Sequence, residues 1–215
     1  MQQFMSGYRK FRSEVFPLQA NKHKLLAKYQ QPHTLFITCA DSRVVPSDFT
    51  QTELGELFQC RVVGNLVPAH GNDDAGVISA IEYAVMVLEV KHIIICGHSD
   101  CGAMRAFLNP EKLGDLKSVS AWIEYANSAI AVAKEQYSHL PPDAFLAALA
   151  KENIVSQLQH LRTHPCVATR LRKHSLEVHG WYYDIGEGTV EQYDPESESF
   201  VPLDSLAENT VARVA

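Results

Sequence analysis

The sequence has no apolar run that approaches the roughly 18 residues of a membrane-spanning helix, so we expect no membrane partner. It also has no excess of positive charge, because 19 Lys and Arg residues face 25 Asp and Glu residues. A nucleic-acid-binding domain favours a basic face, so we expect no nucleic-acid partner. The five cysteines are scattered, which excludes a disulfide framework and indicates a reduced, intracellular chain. The first residues lack the apolar core of a secretion signal, and we expect a cytoplasmic protein.

Internal repeats, low-complexity tracts and Pro- or Gly-rich linkers are also missing, which argues against several domains. The composition, 46% hydrophobic and 20% charged, supplies enough apolar side chains for one sizeable core. We therefore expect a single domain over residues 1–215, of which 1–31 form an N-terminal helical arm. The arm offers more aromatic surface than a lone terminal helix can cover, so we expect it to pack on a partner subunit, giving a homodimer or a higher homo-oligomer. Its apolar side chains recur at helical spacing: Phe4, Tyr8, Phe11 and Val15.

Short apolar runs predict the strands of a central sheet. They do not alternate between apolar and polar residues, which is typical of parallel strands covered on both faces. The runs are "TLFITC" (34–39), "LFQCRVVG" (57–64) and "HIIICG" (92–97). Between the second and third runs lies a helical stripe with Asp73 or Asp74 as its expected N-cap. This order predicts a right-handed strand–helix–strand crossover.

The second half of the chain is predicted to be mainly helical and then to return to strands. Helical stretches are expected around 103–108, 117–137 and 142–163, followed by late strands in "LEVHGWYYDI" and "TVEQYD" joined by a "GEG" turn. The fold class is therefore α/β, with a mostly parallel central sheet flanked by helices.

Metal-binding side chains follow two of the predicted strands. "TLFITC" continues into "CADSR" and "HIIICG" into "GHSDCG", which place Cys39, His98 and Cys101 beyond strand ends. In open α/β sheets the carboxyl ends of the strands form the functional edge, so these side chains should meet there. Two thiolates and an imidazole are a ligand set that suits zinc. Cys101 also begins a predicted helix, whose dipole favours the thiolate.

Two neighbouring residues leave the type of zinc site open. If Asp41 is the fourth ligand, the site is closed and structural; if Asp41 pairs with Arg43, a position is left for water, as in a catalytic site. The other histidines are not expected to bind metal. His164 lies in a polar stretch and is expected to be solvated, whereas His92 and His179 flank strands and are expected to make structural hydrogen bonds.

"CADSR" followed by "GHSDCG" resembles the paired zinc motifs of the β-class carbonic anhydrases. The similarity continues in "LGELF", "VGNLVP", "ISAIEYAV", "ENIVSQLQHLRTHP" and "HGWYYD". The resemblance implies reversible hydration of carbon dioxide to bicarbonate and a proton by zinc-bound hydroxide. It also implies a mostly parallel sheet with an antiparallel edge strand, and N-terminal helices that pack on a partner subunit.

Residue by residue, the resemblance implies that Cys39, His98 and Cys101 bind zinc and that Asp41 and Arg43 form a catalytic dyad. Asp41 would also be able to become the fourth zinc ligand. The implied substrate pocket consists of Gln30, Phe58, Val63, Tyr83 and Gly102.

The resemblance also suggests a subtype. One subtype of the family has a Trp three residues before the first zinc-binding Cys, and that position is Phe36 here. Gln30 instead matches the plant-like and cyanate-operon-like subtype. One departure from the family pattern is Arg61-Val62, where the family usually has Arg-Asn.

Two alternatives stay open on the sequence alone. The first is another zinc hydrolase on the same fold, which a carbon dioxide hydration assay would distinguish. The second is a closed, structural zinc-binding module, which the position of the Asp41 carboxylate would distinguish.

Overall fold

The computed structural model describes residues 1–72 and 74–205, in which one sheet organises the chain. Its six strands lie in the order β2-β1-β3-β4-β5-β6. Strands β2, β1, β3 and β4 are parallel to one another. Strand β5 pairs antiparallel with β4, and β6 pairs antiparallel with β5. The strands are β1 (Thr34–Cys39), β2 (Leu57–Val62), β3 (His92–His98), β4 (Glu177–Asp184), β5 (Thr189–Asp194) and β6 (Ser199–Pro202).

Nine α-helices are present in the described part of the chain. They are α1 (Gln2–Lys10), α2 (Phe16–Leu26), α3 (Pro46–Phe49), α4 (Ala75–Glu82), α5 (Gly102–Leu108), α6 (Lys117–Ile123), α7 (Asn127–Tyr137), α8 (Pro142–Arg162) and α9 (Pro165–Arg172). A π-helical segment, Phe11–Val15, joins α1 to α2, so the expected N-terminal arm is helical through Leu26. None of the helices in these described ranges combines the length and apolar character that crossing a membrane requires.

The expected α/β class and mostly parallel sheet are confirmed, and some boundaries differ. The second apolar run leaves the sheet at Val62, because a turn over Val63–Asn65 with Gly64 at φ 71° redirects the chain. One antiparallel strand was expected and two are present, since β6 pairs with β5. Asp74 caps α4 through hydrogen bonds from the Gly76 and Val77 amides. Asp73, the other expected cap, lies outside the described residues.

The two faces of the sheet bury different sets of side chains. Alternate residues of a strand point to opposite faces, so Ile37 and Ile95 enter the main core while Phe36 and Ile94 enter a smaller one. Helix α8 packs very close to the face of the sheet that borders the main core. A Cβ at Gly180 of β4 would come within 2.7 Å of Ile154 Cγ2, so only glycine accommodates the helix at this distance.

Candidate metal centre

Three metal-binding side chains meet at the carboxyl edge of the sheet. Cys39 is the last residue of β1 and His98 the last residue of β3, and the two strands are parallel neighbours. Cys101 follows His98 by three residues and precedes the first residue of α5. The ligand atoms of the three residues all lie within 4.8 Å of one another, and all three residues are buried. The convergence that the two motifs predicted is therefore present.

Backbone contacts orient two of these side chains. The Gly64 amide donates a hydrogen bond of 3.3 Å to Cys39 Sγ, and the Gly64 carbonyl accepts one of 3.0 Å from Asn153 Nδ2 on α8. His98 Nδ1 lies 2.8 Å from the Ser99 carbonyl oxygen, which can only accept, so Nδ1 carries the hydrogen. The lone pair of His98 is therefore on Nε2, the nitrogen nearer to the Asp41 carboxylate.

The donor atoms fit a metal ion. His98 Nε2 is fully buried and has no hydrogen-bond partner among the described residues, which is costly unless a further group occupies the site. The hydrogen bond from Cys101 lowers the pKa of the Cys39 thiol despite its burial, and the same contact raises the pKa of Cys101. A bound cation would stabilise both sulfurs as thiolates. Two sulfurs and one imidazole nitrogen suit zinc.

A carboxylate beside the three ligands is held by an arginine. Arg43 Nε donates to Asp41 Oδ1 at 3.0 Å and Nη2 donates to Oδ2 at 2.8 Å, a bidentate pair. The Arg43 amide also donates to Oδ1 at 2.9 Å. These contacts hold the pKa of Asp41 well below its usual range. Asp41 Oδ2 nevertheless lies only 3.9 Å from His98 Nε2, so the carboxylate borders the metal position while Arg43 occupies both of its oxygens.

Two residues to which the sequence analysis assigned no role complete this arrangement. Asp100 accepts a hydrogen bond from Arg43 Nη1 at 3.3 Å, and its carbonyl oxygen accepts one from Nη2 at 3.1 Å. Arg61 Nη2 donates to the Asp41 carbonyl at 2.5 Å and, with Nε, reaches the Cys39 carbonyl at 3.3 Å. Asp100 lies inside the "GHSDCG" motif, and Arg61 lies near the carboxyl end of β2. These positions in the chain were the only sequence features that could have identified them as part of the site.

Part of the implied substrate pocket lies at the metal edge. Val63 follows β2, whose residue Val62 is paired with Cys39, and Gly102 follows the ligand Cys101 directly. A cavity of about 600 Å³ opens here between Ala40, Arg61, Val63 and Trp122. The indole of Trp122 donates a hydrogen bond of 2.8 Å to the Val63 carbonyl.

The other implied pocket residues are not brought to this edge within one chain. Phe58 is paired with Leu35, four residues before Cys39, which is about 13 Å along the strand at roughly 3.3 Å per residue. The Tyr83 ring packs against Phe58 with a centroid distance of 5.8 Å, and 43% of Tyr83 is exposed. Gln30 is exposed after the end of α2. Within one chain, Phe58 and Tyr83 therefore pack together away from the metal edge.

The structure also shows the surroundings of Phe36 and His164, two residues that the sequence analysis interpreted. Phe36, the position of the subtype-defining Trp, is fully buried and packs edge-on against Trp181 at 6.0 Å. His164 was expected to be solvated, which is wrong. It is 1% exposed, and its Nε2 lies 2.9 Å from the Pro68 carbonyl, because the chain turns into α9 here and covers it.

Comparison with known proteins yields consistent matches. A family model described as carbonic anhydrase matches residues 34–190. The chain is 44% identical over 213 residues to a protein named carbonic anhydrase from Pseudomonas aeruginosa, covering 99% of this chain and 95% of the relative. The solved structure of the β-carbonic anhydrase CcaA superposes with a TM-score of 0.91 at 39% identity, over 94% of this chain and 91% of that one. A structure of tetrameric β-carbonic anhydrases from Sordaria macrospora gives a TM-score of 0.73 at 27% identity, over 89% and 92% of the chains.

Proposed function

Because the chain belongs to the β-class carbonic anhydrases, we propose that carbon dioxide is hydrated to bicarbonate and a proton at the centre formed by Cys39, His98 and Cys101. The enzyme is a zinc-dependent carbonic anhydrase, that is, a zinc lyase. The observation that carries the assignment of the site is the buried set of three ligand atoms within 4.8 Å of one another. Zinc bound there supplies the Lewis acidity that activates water for attack on carbon dioxide.

We assign to Arg43 the task of keeping Asp41 ionised and fixed. The carboxylate is an acceptor rather than an acid at neutral pH, because its pKa is held low by Arg43. Its Oδ2 atom, 3.9 Å from His98 Nε2, is placed to accept a hydrogen bond from the attacking water and so to orient it. The same pair keeps both carboxylate oxygens away from the fourth metal position, which favours the open catalytic site over the closed structural module.

The substrate enters, in this proposal, through the cavity that Ala40, Arg61 and Val63 line at the carboxyl edge of the sheet. Val63 supplies apolar surface that suits uncharged carbon dioxide, and the backbone at Gly102 adjoins the ligand Cys101. Neither Phe58 nor Tyr83 is among the residues that line this cavity in their own chain. We propose that they, with Gln30, line the metal centre of a neighbouring subunit, because Gln30 and Tyr83 are exposed and Phe58 is only partly buried.

A homo-oligomer is therefore part of the proposed enzyme. Helix α1 buries none of its residues within the chain, and 77% of Phe4 and 64% of Tyr8 are exposed. An apolar helix face of this kind is stable in water when another subunit covers it. Tetrameric relatives have been solved, and we propose at least a dimer here, with the arm packed on the partner.

We place the enzyme in the cytoplasm because its chemistry requires reduced sulfur. The Cys39 and Cys101 sulfurs lie within 4.8 Å of each other, and an oxidising compartment would favour a disulfide between them at the expense of the metal. Cell fractionation with an antibody against the chain tests this location.

The direct test of the function is a stopped-flow hydration assay on metal-analysed protein. We expect one zinc per chain and hydration that disappears when a chelator removes the metal and returns when zinc is restored. A fully zinc-loaded protein that does not hydrate carbon dioxide would contradict the function and favour another zinc hydrolase.

A further inference from the structure

A second cluster of metal-binding side chains lies at the opposite edge of the sheet. His92 is the first residue of β3 and Glu177 the first residue of β4, and the two are paired in the parallel register. His179 follows Glu177 by two residues, so both side chains of β4 point to the same face as His92. The carboxyl end of β3 carries His98, so the two clusters occupy the two ends of one strand.

The three ligand atoms form a small triangle. His92 Nδ1 lies 3.3 Å from His179 Nε2 and 3.5 Å from Glu177 Oε2. His179 Nε2 lies 3.7 Å from the same Glu177 oxygen. In a tetrahedral zinc site with bonds of roughly 2.0–2.2 Å, neighbouring ligand atoms are separated by about 3.3–3.6 Å. The triangle therefore already has nearly the size that a tetrahedral metal ion requires.

We propose that His92 Nδ1, Glu177 Oε2 and His179 Nε2 bind a second divalent transition-metal ion, with zinc as the first candidate. Two imidazoles and one carboxylate are a donor set that suits zinc and its first-row neighbours rather than magnesium or calcium. Three protein ligands leave a fourth position open to water, so the ion is accessible to solvent.

A simple hydrogen bond between the two histidines explains less of this geometry. Such a bond needs one donor and one acceptor and leaves the Glu177 oxygen without a reason to lie near both nitrogens. A metal ion bound between the three atoms accounts for all three separations at once.

The exposure of the proposed ligands determines how tightly this site is expected to bind its metal ion. The Glu177 side chain is 69% exposed and that of His179 is 26% exposed, so ordering them costs conformational entropy that a buried site does not pay. The site should therefore bind more weakly than the buried Cys39–His98–Cys101 centre and should exchange its ion with solution. Its occupation would join the amino ends of β3 and β4.

The experiment uses the holoenzyme with one zinc per chain already bound. Titration with Zn²⁺ in a calorimeter, followed by metal analysis after rapid desalting, should detect a second, weaker equivalent. Glu177→Gln and His179→Gln should each weaken this second equivalent by more than the roughly 10-fold that loss of an outer-shell partner costs. The first equivalent and the hydration activity should be unchanged in both variants, because neither residue belongs to the catalytic centre.

His139→Ala is the matched control, since it removes an exposed histidine outside the cluster. It should leave the second equivalent intact. Absence of a second equivalent in the unmodified holoenzyme would overturn the proposal, and so would a second equivalent that both ligand variants retain at full strength. If His179→Gln does not fold, Glu177→Gln decides alone, because its exposed position leaves the core untouched.

Discussion

Arg43 and Asp41 form a bidentate pair, with Nε–Oδ1 and Nη2–Oδ2 distances of 3.0 Å and 2.8 Å, directly beside the three candidate metal ligands. An exposed ion pair contributes at most about 1 kcal/mol to folding, so stability is a weak reason for this arrangement. In the proposed mechanism the pair has a positional role, because it holds both oxygens of a carboxylate that lies 3.9 Å from His98 Nε2.

Replacing Arg43 should separate activity from metal content. Arg43→Lys offers a single point donor instead of a planar fork, so Asp41 is released toward the metal position. We expect hydration to fall by about 100-fold, comparable to the loss of one preorganised donor, with zinc still bound. Stopped-flow assay and metal analysis on the same sample measure both quantities. Arg172→Lys, at an exposed position, should change neither; loss of zinc in Arg43→Lys would contradict this role.

Substitution of the proposed ligands should remove metal and activity together. Cys39→Ser and Cys101→Ser replace thiolates by hydroxyls that are poor zinc ligands, so zinc per chain and hydration should both fall to background. Cys96→Ser is the matched control, because Cys96 is equally buried and burial raises its thiol pKa to about 12. Full zinc content in Cys101→Ser would refute the assignment.

The lowered pKa of Asp41 has a consequence for acid stability. A carboxyl whose native pKa lies below its unfolded value stabilises the fold above the unfolded pKa of about 3.9, and this contribution is lost as the pH falls toward the native value. Asp41→Asn should therefore show a shallower loss of stability below pH ~5 than the unmodified chain. Urea unfolding of the metal-free proteins at several pH values measures the slopes. Equal slopes would show that the Arg43 pair does not persist without zinc.

Mixed oligomers can test whether Phe58 and Tyr83 act on a neighbouring subunit. One chain carries Cys39→Ser, and the other carries Phe58→Ala with Tyr83→Ala. If the aromatic pair lines the partner's metal centre, the co-expressed mixture gains hydration activity above that of both parent proteins. If it acts within its own chain, the mixture shows only the sum of the parents.

The exposed arm should control the oligomeric state. Phe4→Asp together with Tyr8→Asp places charge on the apolar face of α1, and light scattering should report a smaller particle than for the unmodified protein. Leu116→Asp, which changes another exposed apolar residue outside the arm, should leave the mass unchanged. An unchanged mass in the arm variant would remove the proposed contact.

The strands and the convergence of Cys39, His98 and Cys101 were predictable from sequence because their signals are local. Buried parallel strands are short apolar runs, and Cys39, His98 and Cys101 follow such runs directly. Strand β6, with the sequence "SFVP", has only four residues and was missed because its strand character depends on the β5 edge that it pairs with.

Long-range geometry accounts for what the sequence did not reveal about the site. Arg61 acts through two backbone carbonyls, which no side-chain motif records. The His92–Glu177–His179 cluster depends on the register of β3 and β4, two strands that neighbour each other in the sheet but lie far apart in the sequence. Only the pairing of His92 with Glu177 brings the cluster together, and no local pattern in either strand encodes that pairing.

The close contact between α8 and β4 makes the metal centre sensitive to a remote methyl group. Gly180 lies under Ile154, and the adjacent Asn153 binds the Gly64 carbonyl while the Gly64 amide holds Cys39 Sγ. A side chain at position 180 would lift the helix and pass the displacement through these two hydrogen bonds to the sulfur. The spacing between α8 and the sheet, which Gly180 permits, therefore also sets the position of the Cys39 sulfur.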